Sequence, residues 1–455
     1  MLEPLNLGTT LGEGETLGRR QVRLFSHRGD HYEMGYQQGL QMREAIHQLF
    51  HELHKMEAFQ VQKPALLPSR AFMGVVMRRA VKEMWGDVSE LYPLQKVRME
   101  GIAKGADIDE SLLFLALAGE LTLAQIDYRL GACTAAAVSA ERGALREPMI
   151  IKNFDYPEFF QPYYVTRFCQ SAETASTLDV TLAPLAGCHD GMNEHGLCIS
   201  YNYGYGTDLP NVNTPISLLV QQTLENCSNT REAIDFLKSG PRCGGAVILL
   251  ADALDDLATV ELSSNFSGVR YSREGLLINT NHYKCRDMVS YDIPRNAYYT
   301  SKNVRSLRGI RVHESSELRY ARAEQLLDNL ETVTMKDLLA VFCDHGESGR
   351  GDDNTICRHG PYFSTTASII MLPVSRRLLV TYGHPCNSVF SDFFNPFAGA
   401  KSAEEMEDKE DEKEKVGLEE EENGEEEDRA GSVRSVRIMK EEPPPEEASE
   451  SRESS

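Results

Sequence analysis

The sequence lacks an excess of basic charge and any long apolar run. Its 455 residues carry 47 Lys and Arg against 69 Asp and Glu, which gives a formal net charge of −22. Because nucleic-acid binding needs a basic surface that neutralises phosphates, this charge argues against it. The longest apolar runs, such as Leu112–Ala118, are far shorter than the ~20 residues that span a bilayer. The N-terminus has no basic segment before an apolar core, so we expect a soluble, cytoplasmic protein.

Close cysteine pairs are also missing. None of the ten cysteines lies in a Cys-x-x-Cys pair, and a chain of this length does not need a disulfide scaffold. In a reducing compartment most of them are expected to be buried thiols that pack like small apolar groups. A zinc site built from Cys343, His345, Cys357 and His359 has loose spacing, so the sequence predicts no metal site.

The C-terminal segment lacks aromatic residues altogether. Residues 401–455 hold 22 Asp and Glu against 9 Lys and Arg. Such a composition cannot bury enough apolar surface to offset the entropy of ordering the chain, so a disordered acidic tail is predicted. The remaining residues divide by their predicted secondary structure into an irregular N-terminal segment (1–28), a helical leader (29–132) and a strand-rich core (133–400).

Apolar periodicity predicts the elements of the leader and the core. Helices are expected over 31–54, 71–85, 89–104, 112–130, 214–226, 229–239, 316–329 and 334–343. Strands are expected over 149–154, 164–169, 197–203, 246–251, 259–262, 367–372 and 378–382. The predicted order of elements is helices, then strands, then helices, then strands. This order is typical of an α+β fold rather than a doubly wound one.

Cys133 lies where the helical leader meets the strand-rich core. Its neighbours Gly131, Ala132 and Thr134 are small, which lets a carbonyl group approach the sulfur closely. About twenty residues later a strand ends in Asp155, and a hairpin of that length brings the end of one strand beside the start of its partner. Asp155 is therefore expected next to the amine of a chain that begins at Cys133.

Three further segments hold polar groups at the ends of predicted elements. The turn Asn193–Leu197 leads into a strand that contains Asn202 and Tyr203. The strand at Ile278 ends in Thr280-Asn281-His282, and a helix begins with Ser316-Glu-Leu-Arg319. Taken singly, these segments are a turn, a strand end and a charged helix face.

Taken together in this order, the motifs resemble a known family. The motifs are Gly29-Asp-His-Tyr-Glu-Met-Gly-Tyr-Gln-Gln-Gly39, Cys133-Thr134, Asn153-Phe-Asp155, Asn193–Leu197, Thr280-Asn-His282, Asn354–His359 and Gly383-His-Pro-Cys386. This set resembles the acyltransferase branch of the N-terminal-nucleophile (Ntn) hydrolase superfamily, typified by acyl-coenzyme A:6-aminopenicillanate acyltransferase (peptidase family C45). Bile salt hydrolases and penicillin V acylases are more distant relatives. The chain departs from these patterns at Ala132, where the acyltransferase has Gly, and at Lys152, where bile salt hydrolases have Arg.

The resemblance implies a fold and a set of residue roles. The fold is the αββα four-layer sandwich. Cleavage of the Ala132–Cys133 bond makes Cys133 the N-terminal nucleophile, and the two chains stay together as a heterodimer. Asp155 holds the new amine, Asn281 stabilises the oxyanion and Arg319 stabilises charge near Cys133. Asn202 or Tyr203 is a candidate second oxyanion donor, and Lys152 and Asn153 are candidate substrate contacts.

The thiol and the amine of such a residue suit each other chemically. A cysteine thiol has a pKa of about 8.5 and is mostly protonated at neutral pH. A free α-amino group has a pKa of about 7.7–8.0 and is a well-matched base on the same residue. This chemistry needs no cofactor. The expected substrate is a small N-acyl amide or acyl thioester, and the sequence leaves hydrolysis and acyl transfer open.

Two other interpretations remain. A papain-like protease has its nucleophile at the start of a helix, and the residues after Cys133 have some helical propensity, but the six other motifs argue against it. The alternative from another class is a catalytically inactive relative that acts as an interaction protein through its acidic tail, whose partner the sequence does not identify.

Overall fold

The structure, a computed structural model, describes residues 21–123 and 131–398. The acidic tail at 401–455 lies outside the described residues, as do positions 124–130 of the predicted helix 112–130. Leader and core belong to one compact unit that ends at Ala398. None of the described helices is long and apolar enough to cross a membrane.

The described residues form helices and strands in nearly the predicted order. The helices are α1 (His31–Gln41), α2 (Arg43–Glu52), α3 (Glu57–Gln62), α4 (Ser69–Leu91), α5 (Pro93–Ala106), α6 (Ser111–Leu123), α7 (Ile216–Asn226), α8 (Thr230–Ser239), α9 (Glu314–Leu327) and α10 (Met335–Phe342). The strands are β1 (Leu24–Gly29), β2 (Ala132–Val138), β3 (Met149–Tyr156), β4 (Tyr164–Ser171), β5 (Thr177–Leu182), β6 (Asp190–Asn193), β7 (Cys198–Gly204), β8 (Gly245–Ala251), β9 (Leu257–Leu262), β10 (Ser267–Tyr271), β11 (Leu276–Asn279), β12 (Ser364–Leu372), β13 (Arg377–Tyr382) and β14 (Ser391–Phe394).

The strands make two sheets. One has eight strands in the order β1-β4-β5-β6-β7-β8-β9-β10, and the other has six in the order β11-β2-β3-β12-β13-β14. Helices α7 and α8 pack on the eight-stranded sheet, and α9 and α10 pack on the six-stranded sheet. The two sheets face each other where β2 and β3 meet β7. This four-layer α+β arrangement confirms the predicted fold class.

The leader helices join the helical layer beside the eight-stranded sheet. Arg167 of β4 is buried and donates hydrogen bonds to Gln38 of α1 at 3.0 Å and to Gln221 of α7 at 3.2 Å. One buried guanidinium therefore ties a helix of the leader and a helix of the core to the same sheet.

The Gly29–Gly39 signature has a structural explanation. Gly29 adopts φ +115°, and Asp30 then caps α1 in a reciprocal capping box with Glu33. A Cβ added to Gly35 would lie 2.1 Å from the Arg98 carbonyl oxygen, so α1 and α5 cross in close backbone contact. Gly39 is packed against the Ile102 carbonyl oxygen in the same way, at 2.3 Å. The signature thus specifies a helix start and a helix crossing.

Three predictions about local structure were wrong. The helix predicted over 31–54 is interrupted at Met42, where α1 ends and α2 begins. Residues 24–29 lie in β1 rather than in an irregular segment, because they pair in parallel with β4, a partner distant in sequence. The helix predicted to end at 85 continues as α4 to Leu91, and α5 begins at Pro93, which is favoured in the first helical turn.

Strand β2 combines small side chains with burial on both faces. Cys133 belongs to the apolar core between the two sheets, whereas Ala136 and Val138 belong to the core beneath α9 and α10. This alternation follows the two-residue period of a strand. The alanine-rich stretch has helical propensity, but pairing with β3 over seven residues makes it a strand.

Candidate active site

The Cys133 sulfur is buried between the two sheets. The side chain has no solvent exposure and packs in the core that contains Phe154, Tyr156 and Tyr203. Burial raises the pKa of the Cys133 thiol to about 12, although the charge of Lys152 acts in the opposite direction. In the intact chain the thiol is therefore protonated at neutral pH.

The backbone of Cys133 is held by side chains. Its N–H donates to Asn281 Oδ1 at 3.0 Å, and its carbonyl oxygen accepts from Arg319 Nη1 at 2.6 Å. Arg319 Nη2 also donates to Asn281 Oδ1 at 2.9 Å. The pairing of β11 with β2 ends at Asn279 and Ala135, so the two side chains replace a strand partner that stops short of Cys133.

Asn281 is held through its backbone and through both polar atoms of its carboxamide. Its backbone N–H donates to Ser316 Oγ at 2.8 Å, and its Nδ2 donates to the Tyr203 carbonyl oxygen at 2.9 Å. Two donors, Cys133 N and Arg319 Nη2, define which atom is the oxygen. In the intact chain Asn281 thus accepts from the Cys133 amide, and its donor group is bound to backbone.

Arg319 projects from α9 into this site and is buried. Its Nε donates to Ser315 Oγ at 3.1 Å, and its Nη1 donates to Thr134 Oγ1 at 2.7 Å. Burial, together with the charge of Arg358, lowers the pKa of Arg319 to about 10, so the guanidinium remains charged at neutral pH. Arg319 therefore connects α9 to two neighbouring residues of β2, Cys133 and Thr134.

Asp155 lies opposite Ala132 in the pairing of β2 with β3. Its Oδ1 accepts from Thr365 Oγ1 at 2.7 Å. Its buried Oδ2 has no hydrogen-bond partner among the described residues and lies 3.9 Å from a guanidinium nitrogen of both Arg319 and Arg358. Burial raises the pKa of the Asp155 carboxyl above its usual range, and the two arginine charges oppose that effect.

The candidate substrate contacts on β3 lie on opposite faces of the sheet. Lys152 is buried between the sheets, where its Nζ donates to Asp190 Oδ2 at 2.8 Å and to the Tyr201 carbonyl oxygen at 2.6 Å. Asn153 faces the helical layer and donates through Nδ2 to the carbonyl oxygens of Phe342 and Ile356. The structure thus places Lys152 on the side of Cys133, and Asn153 on the other side.

The candidate second oxyanion donors are both buried on β7. Asn202 Nδ2 donates to the carbonyl oxygens of Asn279 at 3.3 Å and Thr280 at 3.2 Å, so it holds the end of β11. Tyr203 contributes its backbone carbonyl to Asn281, as described above, and its ring packs against Gly131. In the intact chain neither side chain presents a donor to Cys133.

Gly131, two residues before Cys133, packs against aromatic rings. A Cβ added to Gly131 would lie 2.6 Å from the Tyr203 ring and 3.0 Å from the Tyr156 ring. The Tyr205 hydroxyl donates to the Gly131 carbonyl oxygen at 2.9 Å. The chain entering β2 is therefore held tightly between aromatic side chains.

Three residues of the site were missed by sequence reasoning. Arg358 stands inside the Asn354–His359 motif, but nothing in the motif indicates that its side chain reaches Asp155. Thr365 and Tyr205 have no sequence signal, because their contacts depend on how β12 and the residues after β7 fold back on β3 and β2.

Two largely antiparallel sheets between helical layers, with Cys133 near the start of a central strand, are the arrangement of the N-terminal-nucleophile hydrolase class. Within that class, the chain belongs to the acyl-coenzyme A:6-aminopenicillanic acid acyl-transferase family, whose model matches residues 142–385. The matched segment begins after Cys133 and contains Asp155, Asn281 and Arg319.

Similar solved structures come from several organisms. An N-acylethanolamine-hydrolyzing acid amidase ortholog of Caenorhabditis elegans is 15% identical and aligns over 53% of this chain and 93% of its own, with a TM-score of 0.38. Penicillin V acylase from Agrobacterium tumefaciens is 14% identical over 58% of this chain and 85% of its own, with a TM-score of 0.36. A mutant of conjugated bile acid hydrolase from Clostridium perfringens is 13% identical over 57% of this chain and 96% of its own, with a TM-score of 0.35. A comparison with curated protein sequences finds no match.

Proposed function

We propose that this protein is an autocatalytically processed cysteine amidohydrolase or acyltransferase whose nucleophile is Cys133. The observation that carries the proposal is that both backbone groups of Cys133 are bound by Asn281 and Arg319, which also bind each other. Buried polar side chains of this kind are costly unless they are paired, and here they pair with each other and with the backbone of Cys133, whose nitrogen is bound by Asn281. That nitrogen is the atom that becomes the free amine if the chain is cut before Cys133.

Activation follows from the position of the sulfur. The Cys133 sulfur attacks the carbonyl carbon of Ala132, and the thiol proton passes to the Cys133 nitrogen as the carbon–nitrogen bond breaks. The product is a thioester between Ala132 and Cys133. Water then attacks the thioester, which releases Ala132 as a carboxylate and Cys133 with a free thiol and a free amine.

The cleaved chain has a base that the intact chain lacks. An α-amino group with a pKa of about 7.7–8.0 accepts the thiol proton near neutral pH. Asn281 Oδ1 already binds this nitrogen, and Asp155 Oδ2 is a buried acceptor with no other hydrogen bond among the described residues. We assign Asp155 to a second hydrogen bond of the new ammonium group, which carries more hydrogens than the amide it replaces.

During turnover Cys133 attacks the carbonyl carbon of an amide or thioester, and Asn281 donates to the resulting oxyanion. This role requires Asn281 Nδ2 to exchange the Tyr203 carbonyl oxygen for the substrate oxygen. Such a donor contributes a large share of the rate in acyl transfer. When this intermediate collapses, the carbon–nitrogen bond of the amide or the carbon–sulfur bond of the thioester breaks, and the amine or thiol leaves with the proton that the Cys133 amine took from the thiol. The acyl-enzyme then reacts with water in hydrolysis or with an amine in acyl transfer.

The acyl group is proposed to occupy the space that Gly131 fills in the intact chain. The rings of Tyr156 and Tyr203 line this space, and Phe154 packs against Tyr156 with ring centroids 4.4 Å apart. An aromatic lining favours an apolar acyl chain. N-acyl amides and acyl thioesters with apolar acyl chains are therefore the proposed substrates.

Processing is tested on the purified full-length chain. Intact-mass and N-terminal analysis is expected to show two fragments, the second of which begins Cys-Thr-Ala-Ala-Ala. Cys133→Ala should remain one chain, and Cys198→Ala, which changes another fully buried strand cysteine, should be processed normally. A wild-type chain that stays intact, with no thiol-dependent activity on any substrate, would favour an interaction protein instead.

Substrate class is tested with a panel of N-acyl amines and acyl thioesters of graded chain length. Activity should increase with apolar chain length and disappear in Cys133→Ala. Adding an amine acceptor and measuring the new amide against the free acid separates acyl transfer from hydrolysis. A preference for short, charged acyl groups would contradict the aromatic acyl site.

A further inference from the structure

Four potential metal ligands meet at one point near the six-stranded sheet. They are His345, Cys357 and His359, from the segment between α10 and β12, and Cys386, which follows β13. Their ligand atoms all lie within 4.8 Å of one another. No part of the proposed catalytic cycle uses these side chains.

The separations from His359 are close to those around a tetrahedral ion. His359 Nε2 lies 3.1 Å from His345 Nε2, 3.5 Å from Cys357 Sγ and 3.6 Å from Cys386 Sγ. Zinc bonds of about 2.3 Å to sulfur and about 2.0–2.1 Å to nitrogen place tetrahedral ligand atoms about 3.3–3.8 Å apart. Two imidazoles and two thiolates are also a ligand set that zinc favours.

Hydrogen bonding alone does not account for this convergence. His359 Nε2 faces one nitrogen and two sulfurs, yet an imidazole nitrogen has a single hydrogen or a single lone pair. At most one of the three contacts can therefore be a good hydrogen bond. A cation at the centre would satisfy all four ligands at once.

The surroundings hold the two imidazoles in place. The His384 ring stacks on His359 with centroids 3.8 Å apart, and His384 Nε2 lies 2.7 Å from Ser364 Oγ. Gly351 has φ +71°, and a Cβ there would lie 2.5 Å from His359 and 3.1 Å from His345. The backbone at Gly351 therefore packs against both imidazole rings at a position where only glycine fits. Such close packing holds the two potential ligands in a fixed arrangement.

We propose that His345, Cys357, His359 and Cys386 bind one zinc ion as a structural site. Four protein ligands leave no open position, which distinguishes structural from catalytic zinc. The sequence predicted no metal site because the fourth ligand is Cys386, 27 residues away from His359, rather than Cys343.

The ion would fix the segment that reaches the candidate active site. Arg358 lies between two of the ligands, and its Nη1 is 3.9 Å from Asp155 Oδ2. Asp344, next to His345, binds Arg322 of α9 at 2.8 and 3.0 Å. Zinc would thus join the residues after β13 to a loop anchored on α9, and hold Arg358 against Asp155. The proposal does not depend on cleavage before Cys133.

The first test measures metal content. The untagged full-length chain, expressed with zinc and freed of loosely bound metal, should contain about one zinc per chain by elemental analysis. Cys386→Ser should contain less than about a tenth of that amount, because a ligand thiolate is lost. Cys343→Ser is the matched control, since this thiol neighbours the cluster without belonging to it, and it should keep its zinc.

The second test measures geometry and does not need a variant to fold. Replacement of zinc by Co²⁺ in the wild-type chain should give intense visible bands of tetrahedral coordination and sulfur-to-metal charge-transfer bands. Zinc X-ray absorption should fit two sulfurs and two nitrogens at about 2.3 and 2.0–2.1 Å. Octahedral cobalt bands, a chain that takes up no zinc, or a Cys357–Cys386 disulfide in the purified protein would overturn the proposal. Each of these readouts stands whether or not processing occurs.

Discussion

Arg319 donates a 2.6 Å hydrogen bond to the carbonyl oxygen of Cys133 and, through its other terminal nitrogen, a 2.9 Å hydrogen bond to Asn281. The planar fork of the guanidinium makes both bonds at once, which a lysine ammonium cannot reproduce in the same geometry. The backbone of Cys133, the proposed nucleophile, and the residue that binds its nitrogen are therefore held by one side chain.

Arg319→Lys should accordingly slow processing while leaving the chain folded. A retained positive charge limits the cost of leaving Asp155 buried, whereas Arg319→Ala should destabilise the protein by about 3–5 kcal/mol. Both effects are measured by the time course of fragment formation on gels and by urea unfolding. Arg311→Lys is the control, because its ion pair with Glu317 is partly exposed, and it should process at the wild-type rate. Equal processing in Arg319→Lys and wild type would argue against a role for the fork.

Asn281→Asp separates the two functions proposed for Asn281. The substitution keeps an acceptor for the Cys133 nitrogen and for Arg319 but removes the Nδ2 donor. We expect kcat to fall by about 10²–10³-fold, the effect of losing one oxyanion donor, while the amine remains anchored. The measurement is steady-state turnover of the best substrate of the panel, using chain that has been shown to be processed. A kcat within a few-fold of wild type would assign the oxyanion donor elsewhere.

The local geometry of the site follows from the sequence, whereas its long-range contacts do not. The hairpin spacing between Cys133 and Asp155 is short, so the pairing of β2 with β3 follows from the chain itself and places Asp155 opposite Ala132. Arg358 and Thr365 reach the same carboxylate from about 200 residues further along the chain, and no local pattern encodes that contact. For the same reason the sequence did not predict the parallel pairing of β1 with β4 or the proximity of Cys386 to His359.

Residue type alone also left the orientation of side chains undecided. Lys152 and Asn153 are neighbours in sequence, and both were candidate substrate contacts. The two-residue period of β3 sends them to opposite faces, so Lys152 pairs with Asp190 between the sheets and Asn153 binds backbone beneath α10. The register of a strand, which sets these faces, depends on its partners rather than on its own composition.

Gly35→Ala tests the explanation of the Gly29–Gly39 signature as a helix crossing. A Cβ at this position would lie 2.1 Å from the Arg98 carbonyl oxygen, so α1 and α5 must move apart. We expect a loss of about 1–3 kcal/mol in the free energy of unfolding, measured with urea. Gly86→Ala in α4 is the matched control, because nothing lies within 4 Å of the added Cβ, and it should gain about 0.5–1 kcal/mol. A Gly35→Ala chain as stable as wild type would contradict the close crossing.

Glu120 of α6 predicts how stability depends on pH. Its carboxylate accepts hydrogen bonds from Ser217 N at 3.0 Å and Ser217 Oγ at 2.5 Å, but burial raises the pKa of Glu120 from 4.5 to about 7. A carboxyl whose pKa is higher in the folded chain binds its proton more tightly there, so its contribution to stability is complete below about pH 4.5 and is lost as the pH rises through about 7. Because one pH unit corresponds to about 1.4 kcal/mol, ionisation of this group costs about 3 kcal/mol at pH 8.

Glu120→Gln removes that ionisation and keeps groups that can bond to Ser217. The variant should match wild type in urea unfolding at pH 5 and exceed it by about 3 kcal/mol at pH 8, so that the two stability profiles diverge between these values. Glu83→Gln alters an exposed carboxylate of α4 that is paired with Arg79. Its free energy of unfolding should differ from that of wild type by the same small amount at both pH values. If the difference in free energy of unfolding between Glu120→Gln and wild type were also the same at both pH values, Glu120 would be ionised in the folded chain across this range. Its burial would then have to be offset by a charge that the described contacts do not include.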